Sequence, residues 1–238
     1  MRICVIGNSH AGAIKEGWDR IAADHPGVAM RFFAAPGDNM DGLKLCEGRM
    51  VATEPLLAEF VTLSSGGQTE IRPEAHDLFL IVGLGLRPPK MDRRLSAQVY
   101  RAVTSELSRC LACRVAGMIR MVSEAPILML PNPLPARQPT PDETEGRLMR
   151  QQDCLRDVQS ALGLNGLQIL RQPEETLSSG WTTDRRWSEG SSTLAGVIGM
   201  APGAMHPDSE FNHMNADYGA LWLSMILADL AGKPRHSR

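Results

Sequence analysis

The chain has 238 residues with 25 Lys and Arg against 27 Asp and Glu, a formal charge of −2 with neutral histidines, and so offers no cationic face for nucleic acid or anionic lipid. Hydrophobic residues at 43% and charged residues at 22% exclude a disordered or fibrous chain and predict a folded core. Five cysteines at irregular positions (Cys4, Cys46, Cys110, Cys113, Cys154) make no disulfide framework, no secretory leader precedes the first apolar run, and the apolar stretch 220–230 falls short of the roughly 20 residues that cross a bilayer. The expectation is a reduced, cytoplasmic protein without a membrane span.

Residues 2–6 form an apolar run stopped by Gly7, and Ile14, Trp18, Ile21 and Ala22 then recover helical spacing from about 11 to 23. This pattern predicts a buried strand, a tight turn and a helix. Further apolar runs cover 28–35, 78–82, 127–130 and, more weakly, 167–170, closing at Pro36-Gly37, Gly83 and the Pro-rich turn PNPLPAR. Helical spacing fills 93–122, through Leu95, Val99, Val103, Leu107, Leu111, Val115 and Met118, and recurs over 142–162 and about 215–231. Strands alternating with helices predict a three-layer α/β/α sandwich around a five-stranded parallel sheet in flavodoxin-like order, read as one domain over 1–238. One stretch, about 42–75, departs from this rhythm. There FVTLS and TEIRP flank Ser65-Gly66-Gly67-Gln68, which predicts a small antiparallel hairpin turning on the two glycines. Residues 172–212 show little periodicity, and long irregular segments in compact domains are often functional.

Gly7-Asn8-Ser9-His10 stands where the first strand meets the first helix. A serine there exposes its hydroxyl at the carboxyl edge of the sheet, beside the free amides and positive dipole end of a helix that can hold an oxyanion. Its alternative use is to cap that helix. A serine nucleophile needs a base, and His213 lies at the end of the long irregular segment, just before the last helix. Glu210, three residues earlier, can fix the imidazole tautomer, and Asp208 is the second choice for that task. His10 and His206 rank below His213 as pocket-lining histidines.

Together these segments resemble the SGNH (GDSL-like) hydrolase family, whose letters name Ser, Gly, Asn and His in separate sequence blocks. Ser9 in GNSH stands where the family nucleophile stands, Gly37 in Ala35-Pro36-Gly37-Asp38 matches the block glycine whose amide helps form the oxyanion hole, and His213 matches the base. Asn215-Ala216-Asp217-Tyr218-Gly219 looks like the helix entry that comes after that histidine. The resemblance implies an esterase with a Ser-His-acid catalytic triad acting on a small acyl ester, such as an acetylated carbohydrate. Two departures stand out. The third block, Gly-x-Asn in the family, reads Gly83-Leu84-Gly85, so Gly85 brings no side-chain amide. One oxyanion donor is worth on the order of 3 kcal/mol, and Asn8 or Asn132 is the candidate substitute. Glu210 also replaces the usual aspartate.

Other readings compete. The Gly-Asn-Ser turn is also similar to the Gly-Asn-Cys turn of capsule-polysaccharide acyltransferases, which pass an acyl group to a sugar hydroxyl. Loss of the third-block amide would suit a catalytically weakened binding protein on the same fold. A dinucleotide loop is disfavoured because Ser9 replaces the middle glycine that lets the backbone approach a pyrophosphate. Cys110 and Cys113 have the spacing of half a zinc site, but no second pair comes after them, so two small buried side chains are expected. Arg185 and Arg186 with Trp181 and Trp187 could grip a sugar or an acidic group, or simply pack a loop. The expected partner is a small-molecule or carbohydrate ester, with no metal, organic cofactor, nucleic acid or membrane. The apolar last helix is core, with a homodimer face as its alternative use.

Overall fold

The computed structural model of the chain describes residues 1–193, 204–207 and 209–232. Its strands are β1 (Arg2–Gly7), β2 (Ala29–Ala34), β3 (Leu43–Cys46), β4 (Arg49–Ala52), β5 (Glu70–Ile71), β6 (Leu78–Val82), β7 (Ile127–Leu130), β8 (Leu167–Ile169), β9 (Leu177–Ser179) and β10 (Thr182–Thr183). Its helices are α1 (Ala11–Ile21), α2 (Pro55–Ser65), α3 (Ala97–Leu107), α4 (Leu111–Arg120), α5 (Pro141–Thr144), α6 (Gln151–Leu162) and α7 (Ala216–Gly232). Among the described residues no helix is long and apolar enough to cross a membrane.

β1, β2, β6, β7 and β8 form a five-stranded sheet in the order β2-β1-β6-β7-β8, all pairs parallel. Counted within the sheet this is 2-1-3-4-5, the doubly wound order that opens a crevice at the carboxyl ends of the strands. Gly7 registers with Ala34 on one side and Val82 on the other, so the residues after β1, β2 and β6 emerge together at that edge.

Alternation along the strands builds two cores. Cys4, Ile6, Phe79, Ile81 and Met129 pack against Phe60 of α2, Val115 and Ile119 of α4 and Leu155 of α6. Ile3, Val5, Leu78 and Leu80 point the other way, against Ile14 and Trp18 of α1 and Trp222, Leu223 and Ile226 of α7. Because both faces are covered, the strands read as unbroken apolar runs, and each large side chain so buried contributes about 2 kcal/mol.

α1 and α7 touch backbone to backbone. A β-carbon on Gly219 would lie 1.8 Å from the Ala13 carbonyl oxygen, and one on Gly17 would lie 2.2 Å from the Ala220 nitrogen. Only glycine allows this approach. The contact fixes the last helix against the first and, with it, the residues that lead into each.

The antiparallel element between the second and third sheet strands differs from the expected one. β3 pairs with β4 and β4 with β5, and the hairpin turns at Glu47-Gly48, both at positive φ. FVTLS lies inside α2, and Gly66 (φ 72) is the left-handed residue that ends this helix. Positive φ serves a helix terminus as well as a hairpin turn, and here Leu57, Phe60 and Val61 supplied the helical stripe that decided the matter. The 93–122 pattern likewise divides into α3 and α4, broken where Ser108 ends one helix and Cys110 begins the next.

Candidate active site

Ser9 sits in the turn between β1 and α1, which closes through the Ala11 amide on the Asn8 carbonyl (2.9 Å) and the Gly12 amide on that of Ser9 (3.0 Å). A β-carbon on Gly7 would come within 2.9 Å of both Ala11 Cβ and the Val82 carbonyl, so glycine alone lets the strand enter so sharp a turn. The first residue of α1 is preceded by His10, and no side chain caps the helix. Ser9 is therefore not spent as a cap. Its Oγ lies 2.9 Å from Nε2 of His213.

His213 is held from two sides, by the start of the last helix and by the segment that covers its ring. Asn215 anchors the start of α7: its Oδ1 accepts from the Tyr218 amide (3.1 Å), and its Nδ2 donates to the carbonyls of Arg186 (2.8 Å) and Glu189 (2.9 Å). His206 stacks on the His213 ring at 4.1 Å between centroids and 9° between planes. Its backbone amide donates to the Ser191 carbonyl at 2.9 Å, and Met205 bridges to Ser192, which hangs the segment over the histidine. Glu210 Oε1 lies 3.4 Å from His213 Nδ1, an ion-pair separation. Nδ1 makes no hydrogen bond among the described residues, and Oε1 accepts from the Asn212 amide at 2.6 Å. Asp208 lies outside the described residues.

Burial, and then the neighbouring His206, lower the His213 pKa below its ordinary 6.5 against the opposing pull of Glu210. The imidazole is neutral at pH 7 and free to accept a proton. For Glu210, burial pushes up, but the Asn212 amide and the two histidines bring the net shift downward. The carboxylate is ionised.

His10, at 8% exposure, packs its ring 5.3 Å from that of His213. Burial, with smaller contributions from His213 and Arg87, lowers its pKa to about 3, so it is neutral across the physiological range. Its Nε2 lies 3.0 Å from Nδ2 of Asn132, the residue in the turn after β7. Whichever way the Asn132 amide is turned, a buried polar atom on each partner is left over. Among the described residues His10 Nδ1, Asn132 Oδ1, His206 Nε2 and His213 Nδ1 are all buried without a hydrogen-bond partner, an accumulation that marks functional sites rather than packed cores.

The candidate oxyanion groups divide. Ser9 and Gly37 both come after strands at the same edge, and among the described residues neither amide gives its hydrogen to a protein acceptor. Asn8 Oδ1 accepts from the His10 amide (3.2 Å) and so stabilises its own turn. It also faces Gly83, where a β-carbon would be 2.5 Å away. Asn132 is committed to His10. Gly83, Leu84 and Gly85 are all left-handed (φ 73, 51 and 77), and a side chain at Gly85 would be directed at Cys110 Cβ, 3.9 Å away. The positive φ at this position suits glycine.

Sequence reasoning ranks His10 and His206 low, and the structure brings both against His213. Arg186 and Arg185 lie over the rings of Trp187 (5.0 Å) and Phe211 (5.1 Å), so this cluster packs the loop. Cys113 is buried as expected. Cys110 is half-buried, its Sγ 3.5 Å from that of Cys113.

No family model matches the chain, and no curated protein does. Similar solved structures include the periplasmic domain of a lipopolysaccharide acetyltransferase from Salmonella ser. Paratyphi A, at 11% identity over 97% of this chain and 83% of that one, with TM-score 0.49. A carbohydrate esterase, whose active site is described as having divergent catalytic and non-catalytic binding functions, shares 12% identity over 98% of this chain and 65% of its own, with TM-score 0.46. A GDSL-like lipase from Bacteroides thetaiotaomicron shares 8% identity over 97% and 87%, with TM-score 0.44. Likeness at this level adds no weight to the functional reading, which rests on the geometry of the site.

Proposed function

We propose that the protein is an SGNH-type serine esterase that cleaves a small acyl ester. The single observation that carries the reading is the 2.9 Å contact between Ser9 Oγ and a neutral His213 across 204 residues of sequence, with a carboxylate 3.4 Å from the far nitrogen. In this reading Ser9 Oγ attacks the ester carbonyl as its proton passes to His213 Nε2. Glu210 stabilises the imidazolium that forms, and the amides of Ser9 and Gly37 receive the oxyanion. Collapse breaks the bond to the alcohol, which takes the proton from His213 and leaves an acyl-Ser9. Water then attacks, gives its proton to His213, and the carboxylic acid departs as the serine is restored. Asp208 is the alternative acid, to be separated from Glu210 by comparing Asp208→Asn with Glu210→Gln.

The His213 pKa lies below 6.5, so kcat/KM should be level at neutral pH and fall on the acid side as the base is protonated. The five free cysteines support the cytoplasm as the compartment.

A fluorophosphonate probe tests the reading without a natural substrate. The expected result is one phosphonyl adduct on Ser9 in the parent, none in Ser9→Ala and little in His213→Ala. A parent that resists labelling would favour the binding-protein reading, to which the unengaged His213 Nδ1 and the absent side-chain amide at Gly85 also lend support.

A further inference from the structure

Farther along the same sheet edge, a cavity of about 340 Å³ opens over the ends of β7 and β8. Its size falls in the range of small-molecule sites. Its lining includes no residue of the Ser9 site, but a short segment of chain joins the two places. Asn132, which contacts His10, is two residues from Leu134, which lines the cavity and whose amide donates to Gln172 Oε1 (3.0 Å). Ala136 of the same segment donates its amide to the Phe211 carbonyl (2.7 Å), tying it to the loop that carries Glu210 and His213. β7 lies two strand positions from β1, or roughly 10 Å at about 4.8 Å per step, so one ligand larger than a single ring could span both places.

The walls of this cavity are built for negative charge. Arg93, Arg150 and Arg171 line it, all three are exposed, and among the described residues none forms an ion pair; the Arg93 side chain only gives its Nε to the Leu148 carbonyl (3.0 Å). The amino end of α6 opens into the same space. Arg150 precedes that helix without a capping hydrogen bond, and the amides of Gln151 and Gln152, also lining residues, have no acceptor among the described residues. A helix start with unfilled amides attracts anions. Asp153, the acid of that first turn, is already held by Arg156 at 3.2 Å. Gln151, itself 9% exposed, keeps its Nε2 without a hydrogen-bond partner among the described residues.

Two carboxylates also line the space. That of Glu143 is fully buried between Lys90 (2.5 Å) and Arg137 (2.7 Å) and accepts from the Thr140 amide, so its charge is compensated. Glu174 remains, one carboxylate against three guanidiniums. Trp181, 5% exposed, adds an aromatic wall.

We propose that this cavity holds an oxyanion group, a carboxylate or a phosphate, carried on the alcohol part of the substrate, so that the ester is one of an acidic sugar or a similar polyol. The proposal rests on the esterase reading for the identity of the ligand as substrate, and the guanidinium fork matches either oxyanion.

Binding is measured on the full-length Ser9→Ala protein, so that no turnover intervenes, by calorimetry with glucuronate, glucose 6-phosphate and glucose. At least one anionic sugar should bind about tenfold more tightly than glucose, and Arg150→Gln and Arg171→Gln should each remove most of that advantage. Preference for glucuronate assigns the carboxylate, and preference for glucose 6-phosphate assigns the phosphate. Both arginines are exposed, and thermal unfolding monitored by circular dichroism verifies that the variants fold. Equal binding of all three sugars, or anion binding indifferent to both substitutions, would overturn the proposal. Failure of the chemistry reads out separately: a parent that resists the fluorophosphonate yet binds the anionic sugar loses the esterase reading and keeps the site.

Discussion

The two ends of one sheet edge are organised in opposite ways. After β1, the polar groups near Ser9 are packed among themselves, histidine on histidine, with the charge of His10 and His213 suppressed by burial. Over β7 and β8 the polar groups are cationic, exposed and directed at open space. On the esterase reading, the contrast separates two tasks. A nucleophile and its base need low dielectric and fixed geometry, whereas recognition of a charged ligand needs groups whose partners are not yet supplied.

Five substitutions and one control would break or sharpen that contrast. Ser9→Ala should have the largest effect on activity, lowering kcat/KM for a short-chain nitrophenyl ester on the order of 10⁴-fold, with His213→Ala nearly as severe and the double variant no worse than either. Unchanged turnover in Ser9→Ala would remove the nucleophile. Next is Gly219→Ala, which drives a methyl group into the Ala13 carbonyl and should cost about 4 kcal/mol by urea unfolding while separating α1 from α7. The exposed Gly180 has open space around it, so Gly180→Ala serves as the control.

Glu210→Gln should lower kcat/KM by roughly 10- to 100-fold, less than the loss of a fully hydrogen-bonded triad acid, because the contact to Nδ1 is 3.4 Å and not a hydrogen bond. A loss as large as that of His213→Ala would show that the carboxylate closes on the imidazole during turnover. The smallest effect concerns His10, whose pKa falls from 6.5 to about 3 on folding. The unfolded chain then binds more protons in that window, so the contribution to stability is complete above about pH 6.5 and declines below it. The slope is at most about 1.4 kcal/mol per pH unit. His10→Gln should flatten this slope in chemical unfolding measured at pH 7, 6 and 5, and an unaltered slope would assign the titration elsewhere.

How far the sequence revealed this molecule depended on the range of the forces involved. The five sheet strands were legible because burial on both faces leaves unbroken apolar runs such as Leu78–Val82. The positions of Ser9 and His213 beside the first and last helices were legible because the chain signals those element boundaries locally. Gly66-Gly67 misled because the same left-handed backbone ends a helix and turns a hairpin, while the true turn at Glu47-Gly48 lacks the asparagine or aspartate that announces such turns. The stacking of His206, the pairing of His10 with Asn132 and the arginine-lined cavity had no local signature. Each joins residues that lie far apart in sequence and meet only through the tertiary fold.

The distance along the chain between Ser9 and its partner also bears on biosynthesis. A ribosome delivers the hydroxyl near the outset and the imidazole 204 residues later, after β8 has been made. Domains fold as they emerge, amino end first, so β1 can seek β2 and β6 while His213 has yet to be translated. No nascent fragment ending before residue 213 can hold the pair, so the contact between hydroxyl and imidazole is among the last that this fold can make.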